Sequence, residues 1–321
     1  MTQERAATPM STTADLPAAG AAKDAAPAPA PAPAPVRAAT RRRTGRGERG
    51  RAASVLIHGV LITASLIAAF PVLWIAWVSF GPDKTDFLHP ADIAGKFSFE
   101  NYTKVLGDTN FLRWFLNSAI VALGTCSLGV FIAASAGYAV SRMRFPGHRQ
   151  LMWTFLVTQM FPVAILMVPL YNILAGLGLL DTYWALILVY CTTAVPYCAW
   201  LLKGYFDTIP QEIDEAGRVD GLSPFGTFYR LVLPLARPGL AVAAFYTFLT
   251  AWGEVAYASI LMLGEDKYTL AVGLTTFVSE HDNQWDLMAA TSVLIALPAS
   301  GFFYFVQRHL VTGLTAGAAK S

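Results

Sequence analysis

The sequence predicts an all-α polytopic membrane protein with six transmembrane helices, on three observations. Hydrophobic residues make up 55% of the 321 and charged ones only 14%, where a soluble domain carries about 25% charge. The mean hydropathy is +0.47. The few charges are also unevenly spread: residues 1–51 hold 9 of the 23 Lys and Arg and 4 of the 21 Asp and Glu, which leaves long charge-free windows downstream. None of these windows alternates in polarity with the period of two that a membrane β-barrel strand requires.

Residues 1–51 read as a separate, disordered tail. An Ala/Thr/Ser-rich stretch is followed by five Ala-Pro dipeptides from Ala26 to Pro35 and then by Arg41, Arg42, Arg43, Arg46, Arg49 and Arg51. Such a composition buries too little apolar surface to offset its chain entropy and favours extended, polyproline-like conformations. The arginine pair invites comparison with an export signal, but the apolar run after it is long enough to span a bilayer and is expected to be retained.

From residue 52 to 321 the expected unit is a six-span membrane domain. An ionised side chain at mid-bilayer costs about 2.5–3.5 kcal/mol on insertion scales, so charge-free windows locate the spans. They fall near residues 54–80, 114–140, 151–171, 183–203, 239–263 and 287–306, the fifth interrupted only by Glu254. Each offers the roughly 20 residues that cross the hydrocarbon. Prolines 71, 162, 169, 196 and 298 lie inside spans, and Pro162 with Pro169 offers a break in the third where a path could run. Ala133, Ala134, Ser135, Ala136 and Gly137 form a small-residue patch suited to close helix approach.

From Arg37 onward, sixteen basic residues lie in the tail and the loops on its side of the spans, against Lys84, Lys96, Lys104, Arg113 and Lys267 on the other. The asymmetry places both termini in the cytoplasm of a multi-pass cell-membrane protein. Asp83, Asp86, Asp92, Glu280 and Asp282 are among the acids of the outer loops, so the formal net charge of +2 hides an inside-outside polarity and implies no nucleic-acid partner. Cys126, Cys191 and Cys198 sit in apolar runs without metal-ligand spacing. No catalytic residue, metal site or cofactor is expected.

The longest tail-side loop, 204–238, is the most informative stretch. Thr208-Ile209-Pro210 can open a helix whose first turn holds Glu212, Asp214 and Glu215, and Gly221 can stop it in a left-handed turn. Ser223-Pro224 repeats the start signal, and Phe225, Phe228, Tyr229 and Val232 follow at helical spacing until Pro234 and Pro238 intervene. Two short helices with small residues at a glycine turn suit docking into a partner; the alternative is an amphipathic loop lying on the headgroups of the membrane lipid.

Glu215-Ala216-Gly217, three residues, Gly221, nine residues, then Leu231-Val232-Leu233-Pro234 resembles the EAA signature of bacterial ABC importer permeases. Gly217 stands for the second alanine, which weakens the helix by about 1 kcal/mol, and Leu231 stands for isoleucine. Asn117-Ser118, Tyr138-Ala139 with Arg142, Phe145 and Gly147, Leu177 to Trp184, and Gln307 to Gly317 extend the resemblance over nearly all of 54–321. They look like the smaller permease subunit of maltose-type carbohydrate importers in particular.

This resemblance implies the type I ABC importer permease fold and a partner set: a second homologous permease, two cytoplasmic ABC ATPases and an extracytoplasmic sugar-binding protein. It implies an ATPase-coupling loop carried by Glu212, Glu215, Ala216, Gly217, Asp220, Gly221, Leu231 and Pro234. It also implies an oligosaccharide cargo, maltose or maltodextrin first and trehalose next. Glu254, the one acid within a span, and the aromatic residues Tyr246 and Trp252 are candidates for the translocation path; Glu254 could equally be a structural pin. The chain lacks a phosphate-binding G-x-x-x-x-G-K-[ST] loop, so energy must come from separate subunits. An ion-coupled secondary transporter is the rival reading, and an intramembrane enzyme a second; one intramembrane acid and no nucleophile elbow or H-E-x-x-H motif weigh against them.

Overall fold

The computed structural model describes residues 51–82, 96–278 and 284–318. The tail of residues 1–51 therefore lies outside the described residues except for Arg51, as do Asp83, Asp86, Asp92, Glu280 and Asp282. Gly59–Ser321 form one compact unit, and of Met1–His58 the described part is the opening of the first helix.

The chain folds as helices in the order α1 (Arg51–Ser79), α2 (Glu100–Gly107), α3 (Phe111–Arg142), α4 (His148–Thr158), α5 (Val163–Gly176), α6 (Tyr183–Phe206), α7 (Glu212–Val219), α8 (Pro224–Leu235), α9 (Arg237–Trp252), α10 (Ala256–Leu261), α11 (Leu270–Thr275) and α12 (Trp285–Ala318). Among the described residues, four continuous helices are long and apolar enough to span a membrane: Ala53–Ser79, α3, α6 and Trp285–His309. Two bent pairs, α4 with α5 at 106° and α8 with α9 at 84°, bring the number to six when each counts as one span.

Two expected spans are not single helices. The third breaks at Gln159–Pro162, where Pro162 takes an extended conformation ahead of α5; its ring disfavours helical geometry in the residue before it, Phe161. Pro169 lies within α5 without stopping it. Gln159 Nε2 donates to Thr193 O of α6 at 2.9 Å and tethers the break. The fifth expected span, 239–263, ends as a helix at Trp252 and resumes only at Ala256. Gly253 weakens helix propagation, and Glu254 serves the helix that follows it.

The core forms along α3 and α6, with α9 packed on both and α12 packed in turn on α9 and α2. The expected small-residue patch does this in part: Ala133, Ala134 and Gly137 are buried. At Gly137 a Cβ would stand 3.0 Å from both Ala199 O and Lys203 N, so only glycine lets the two backbones come this close. Buried side chains gather at each end of this pair. Val121, Leu186, Tyr190, Phe248 and Trp252 belong to one cluster, and Tyr138, Cys198, Leu202, Phe206 and Phe228 to the other. Outward faces stay apolar, as Leu66, Ile67 and Phe70 on α1 and Ile165, Val168 and Ile173 on α5 illustrate, a surface that lipid or another membrane subunit solvates.

At the end away from the 204–238 loop, side chains close the segment between α10 and α11 onto the bundle. Trp114 Nε1 donates to Glu265 O at 3.0 Å, and Asn117 Nδ2 to Asp266 O and Tyr268 O at 2.9 Å each. Ser118 Oγ accepts from Leu270 N at 2.7 Å. A Cβ at Gly273 would overlap the Trp114 ring. Asp181, at φ +58°, accepts from Leu263 N at 3.1 Å and from Lys267 Nζ at 2.9 Å.

Partial burial alone would raise the Asp181 pKa, but the Lys267 ammonium and the backbone N–H groups of Leu263 and Gly264 outweigh it and hold the carboxyl below its usual value. The Lys267 pKa is raised, chiefly by its hydrogen bond to Asp181. The depressed acid gives its stabilisation above about pH 3.9 and loses it as pH falls through the lowered value; the raised base loses its share only above about pH 10.4. Amide exchange at Leu263 and Gly264, corrected for intrinsic rates, should therefore be equally protected from about pH 5 to 9 and lose protection below about pH 3.9. Protection that changed near neutrality would mean that another group controls the segment.

Candidate functional site

The 204–238 loop folds as two helices joined by a glycine stop. Glu212, Asp214 and Glu215 lie in the first turn of α7 and Arg218 in the last, each favourably placed for the helix dipole. The start differs from expectation: α7 begins at Glu212 without a side-chain cap, while Thr208 Oγ1 donates back to Tyr205 O at the end of α6, 2.7 Å away. The stop is as expected. Gly221 takes φ +77°, Leu222 N donates to Gly217 O at 2.9 Å and Gly221 N to Arg218 O at 3.0 Å. This pair of bonds is the Schellman arrangement, which needs a left-handed residue at Gly221.

Ser223 then caps α8, its hydroxyl accepting from Gly226 N at 3.1 Å, with Pro224 as first residue. A π-helical turn over Phe228–Val232 precedes Pro234, whose missing N–H and bulky ring disturb the ordinary ladder. The expected apolar face is corrected here. Phe228 and Val232 are buried, whereas Phe225, ahead of the wider turn, and Tyr229, within it, are exposed.

The motif residues separate by role. Glu212, Glu215, Ala216 and Asp220 are exposed on α7, beside Val219 at 88% exposure. Gly217 is buried against α8: a Cβ there would lie 2.7 Å from Thr227 Oγ1 and 3.1 Å from Leu231 Cδ1. Gly217 is thus a packing requirement of this chain rather than merely a weaker alanine. Leu231 packs over it, and exposed Pro234 follows the π turn.

Sequence reasoning missed the residue that fixes α7 to the bundle. Asp214 is buried; it accepts from Tyr138 Oη at 2.6 Å, and its second oxygen lies 2.9 Å from Arg142 Nε in an ion pair whose angle does not make a hydrogen bond. Arg142 Nη2 donates to Ile209 O at 2.7 Å. The signal was available in the four-residue spacing of Tyr138 and Arg142 at a span end. Asp214, though, reads from sequence as one more dipole-facing acid.

The three path candidates are not brought into one constellation. Glu254 lies in the break of the fifth span, where Oε1 accepts from Tyr257 N at 2.8 Å and Oε2 from Ala258 N at 3.1 Å and Tyr190 Oη at 2.8 Å. Its carboxylate caps α10 and pins it to α6, the structural alternative for this residue. Trp252 is buried: it is 4% exposed, stacked on Phe248 with centroids 5.2 Å apart, and its N–H reaches Ile295 O at 3.2 Å. Tyr246 is half-buried and its ring pairs with that of Tyr197, centroids 4.2 Å apart.

Residues 126–315 match the family described as "Binding-protein-dependent transport system inner membrane component". The chain is 36% identical over 261 residues to the maltodextrin transport system permease protein MdxG of Bacillus subtilis, covering 81% of this chain and 94% of that protein. It is 35% identical over 258 residues to the trehalose transport system permease protein SugB of Mycobacterium tuberculosis, covering 79% and 93%. Its fold is similar to that of a subunit of a bacterial ABC transporter involved in alginate import, with a TM-score of 0.68, 23% identity and coverage of 81% of this chain and 97% of that one.

The chain belongs to the family of binding-protein-dependent transport-system membrane components. It is a multi-pass ABC importer permease of the type I fold, not an enzyme, and it carries the EAA motif typical of that family. The secondary-transporter and intramembrane-enzyme readings find no support in this membership.

Two outcomes follow from the packing. Gly217→Ala should destabilise the subunit by about 1–3 kcal/mol through overpacking, although alanine is the better helix former by about 1 kcal/mol. Adding Thr227→Ala should restore most of the loss, since the Thr227 hydroxyl has no hydrogen-bond partner to forfeit; thermal unfolding of the four members of the cycle measures both. Glu254→Gln should cost about 1–2 kcal/mol, because an amide turns a donor toward one of the three donors the carboxylate receives. Unchanged thermal stability of that variant would remove the capping role.

Proposed function

We propose that the chain is the smaller of two permease subunits in an ATP-driven importer of an oligosaccharide of the maltodextrin class. The observation that carries the substrate class is the 36% identity, over 81% of the chain, to a maltodextrin permease. Trehalose is the second reading, favoured by the 35% identity to a trehalose permease. The proposed assembly holds a second, homologous permease, two ABC ATPases and an extracytoplasmic sugar-binding protein, the last in keeping with the binding-protein dependence of the family.

In this reading 52–321 is the permease domain, 1–51 is a cytoplasmic tail, and both termini and the 204–238 loop face the cytoplasm, as the arginine asymmetry requires. The loop is the ATPase-coupling element. The exposed side of α7, with Glu215, Ala216 and Val219, enters the ATPase cleft; Glu212 and Asp220 meet its rim; Gly217, Gly221, Leu231 and Pro234 set the shape of the docking surface. ATP-driven closure draws the coupling loops of the two permeases together and opens the spans outward to receive sugar. Hydrolysis returns the opening to the cytoplasm. Tyr246 with Tyr197, and the region of Glu254, are offered as path-lining positions, since aromatic faces suit sugar rings.

Deletion of the gene, followed by uptake of labelled maltotriose and trehalose, tests the substrate. Loss of maltotriose uptake is expected, loss of trehalose uptake alone would assign the second reading, and retention of both would overturn the class. Complementation with Glu215→Lys or Gly221→Leu tests the loop: both proteins should insert normally, yet ATPase co-purification and uptake should fall by roughly tenfold or more, the scale of a lost charged contact or a strained left-handed turn.

A further inference from the structure

The 204–238 loop meets the bundle at one point where polar and aromatic contacts converge. Tyr138 and Arg142 stand one turn apart on the final turns of α3. Through its hydroxyl Tyr138 holds Asp214 of α7 at 2.6 Å; through its ring it packs on Phe228 of α8 at 4.7 Å and edge-on against Phe206 of α6 at 5.9 Å. Arg142 pairs with Asp214 and also holds the carbonyl of Ile209, in the turn that leads from α6 to α7. The charged side chains of the pair are only 7% and 9% exposed.

We propose that Asp214, held by Tyr138 and Arg142, is the latch that makes the coupling loop move as one body with α3. The inference rests on the coupling role proposed above and adds the residues that carry the motion into the membrane. Apolar contacts let two helices slide past one another with little change in buried area. A directional bond to a buried carboxylate does not, because any slip separates charges that have no water to replace their partner.

The faces of α7 divide in the same sense. Asp214 and Gly217 point inward, while Glu215, Ala216 and Val219 point out, so a force on the outer face passes through the latch before it reaches a span. Beyond it α3 and α6 are already joined, by the close approach at Gly137 and by Ser141 Oγ donating to Asp207 Oδ1 at 2.7 Å. Asp214, Tyr138 and Arg142 are therefore positioning residues; none of them need touch sugar or nucleotide.

The test compares Asp214→Asn, Tyr138→Phe and Arg142→Lys in the full transporter, reading three quantities: ATPase co-purification, ATP hydrolysis stimulated by the loaded binding protein, and uptake of the sugar that the deletion experiment returns. Tyr138→Phe removes one hydroxyl and keeps both ring contacts, so it guards against simple misfolding. A latch predicts normal co-purification and retained hydrolysis with roughly tenfold less sugar moved per ATP for Asp214→Asn and Tyr138→Phe, the scale of one charge-assisted hydrogen bond. Arg142→Lys, which keeps the charge but loses the fork, should fall between these and wild type. Uptake and hydrolysis that fall in proportion, or a wild-type ratio in all three, would overturn the latch and leave a structural ion pair. If Glu215→Lys and Gly221→Leu abolish coupling while these three do not, the latch alone fails; if none of the five has any effect, the coupling reading fails with it.

Discussion

The close approach of α3 to α6 is the constraint on which the rest of the subunit depends. It requires glycine at 137, where any side chain would meet the backbone of Ala199 and Lys203. With the two axes so near, the residues at each end have fixed partners. Trp114, Asn117 and Ser118 face the segment between α10 and α11 at one end, and Tyr138 and Arg142 face α7 and α8 at the other. Without a hydrophobic drive between helices in lipid, packing density and interhelical hydrogen bonds must supply the association. This subunit makes its close backbone approach beside Tyr138, at the α7 side of the pair, and has interhelical hydrogen bonds at both ends.

Much of the architecture was legible because the bilayer simplifies the code. Charge-free windows located α1, α3 and α6 nearly to their ends and the start of α12, which runs on to Ala318 past the charged Arg308, since a charge at depth is costly whatever the tertiary structure. The two interrupted spans differ in what announced them. Windows count polarity and not backbone continuity, so the break at Gly253–Val255 stays invisible among apolar residues, whereas Pro162 signalled the one at Gln159–Pro162. Pro162 and Pro169 look alike in sequence, yet only the former ends a helix; in a membrane bundle, neighbouring groups decide which proline breaks and which is absorbed.

The candidate site was legible where local backbone rules govern it and opaque where tertiary contact does. The glycine stop at Gly221 and the Ser223-Pro224 start follow from conformations that few residues supply. Gly217, by contrast, looked like a defect, because its partner Thr227 is ten positions away and only the fold brings their surfaces together. Trp252 and Glu254 looked functional because large aromatic and acidic side chains in a span attract attention. The fold gives each a packing or capping partner from another helix, Ile295 for the first and Tyr190 for the second.

Asp214 shows why such a residue is worth its place. Taking a carboxylate and a guanidinium out of water costs nearly what their attraction returns, so a buried pair contributes little net stability, while removing one partner costs about 3–5 kcal/mol. The pair therefore acts less as a source of stability than as a penalty against every arrangement in which α7 is displaced from α3. That is the property a transmitting element needs: the cohesion of the loop can come from Phe228, Val232 and the Gly217–Thr227 contact, whereas its register on the span is set by Asp214. The opposite face of α7 keeps Glu215 and Val219 exposed, so the helix spends one side on position and leaves the other for a partner.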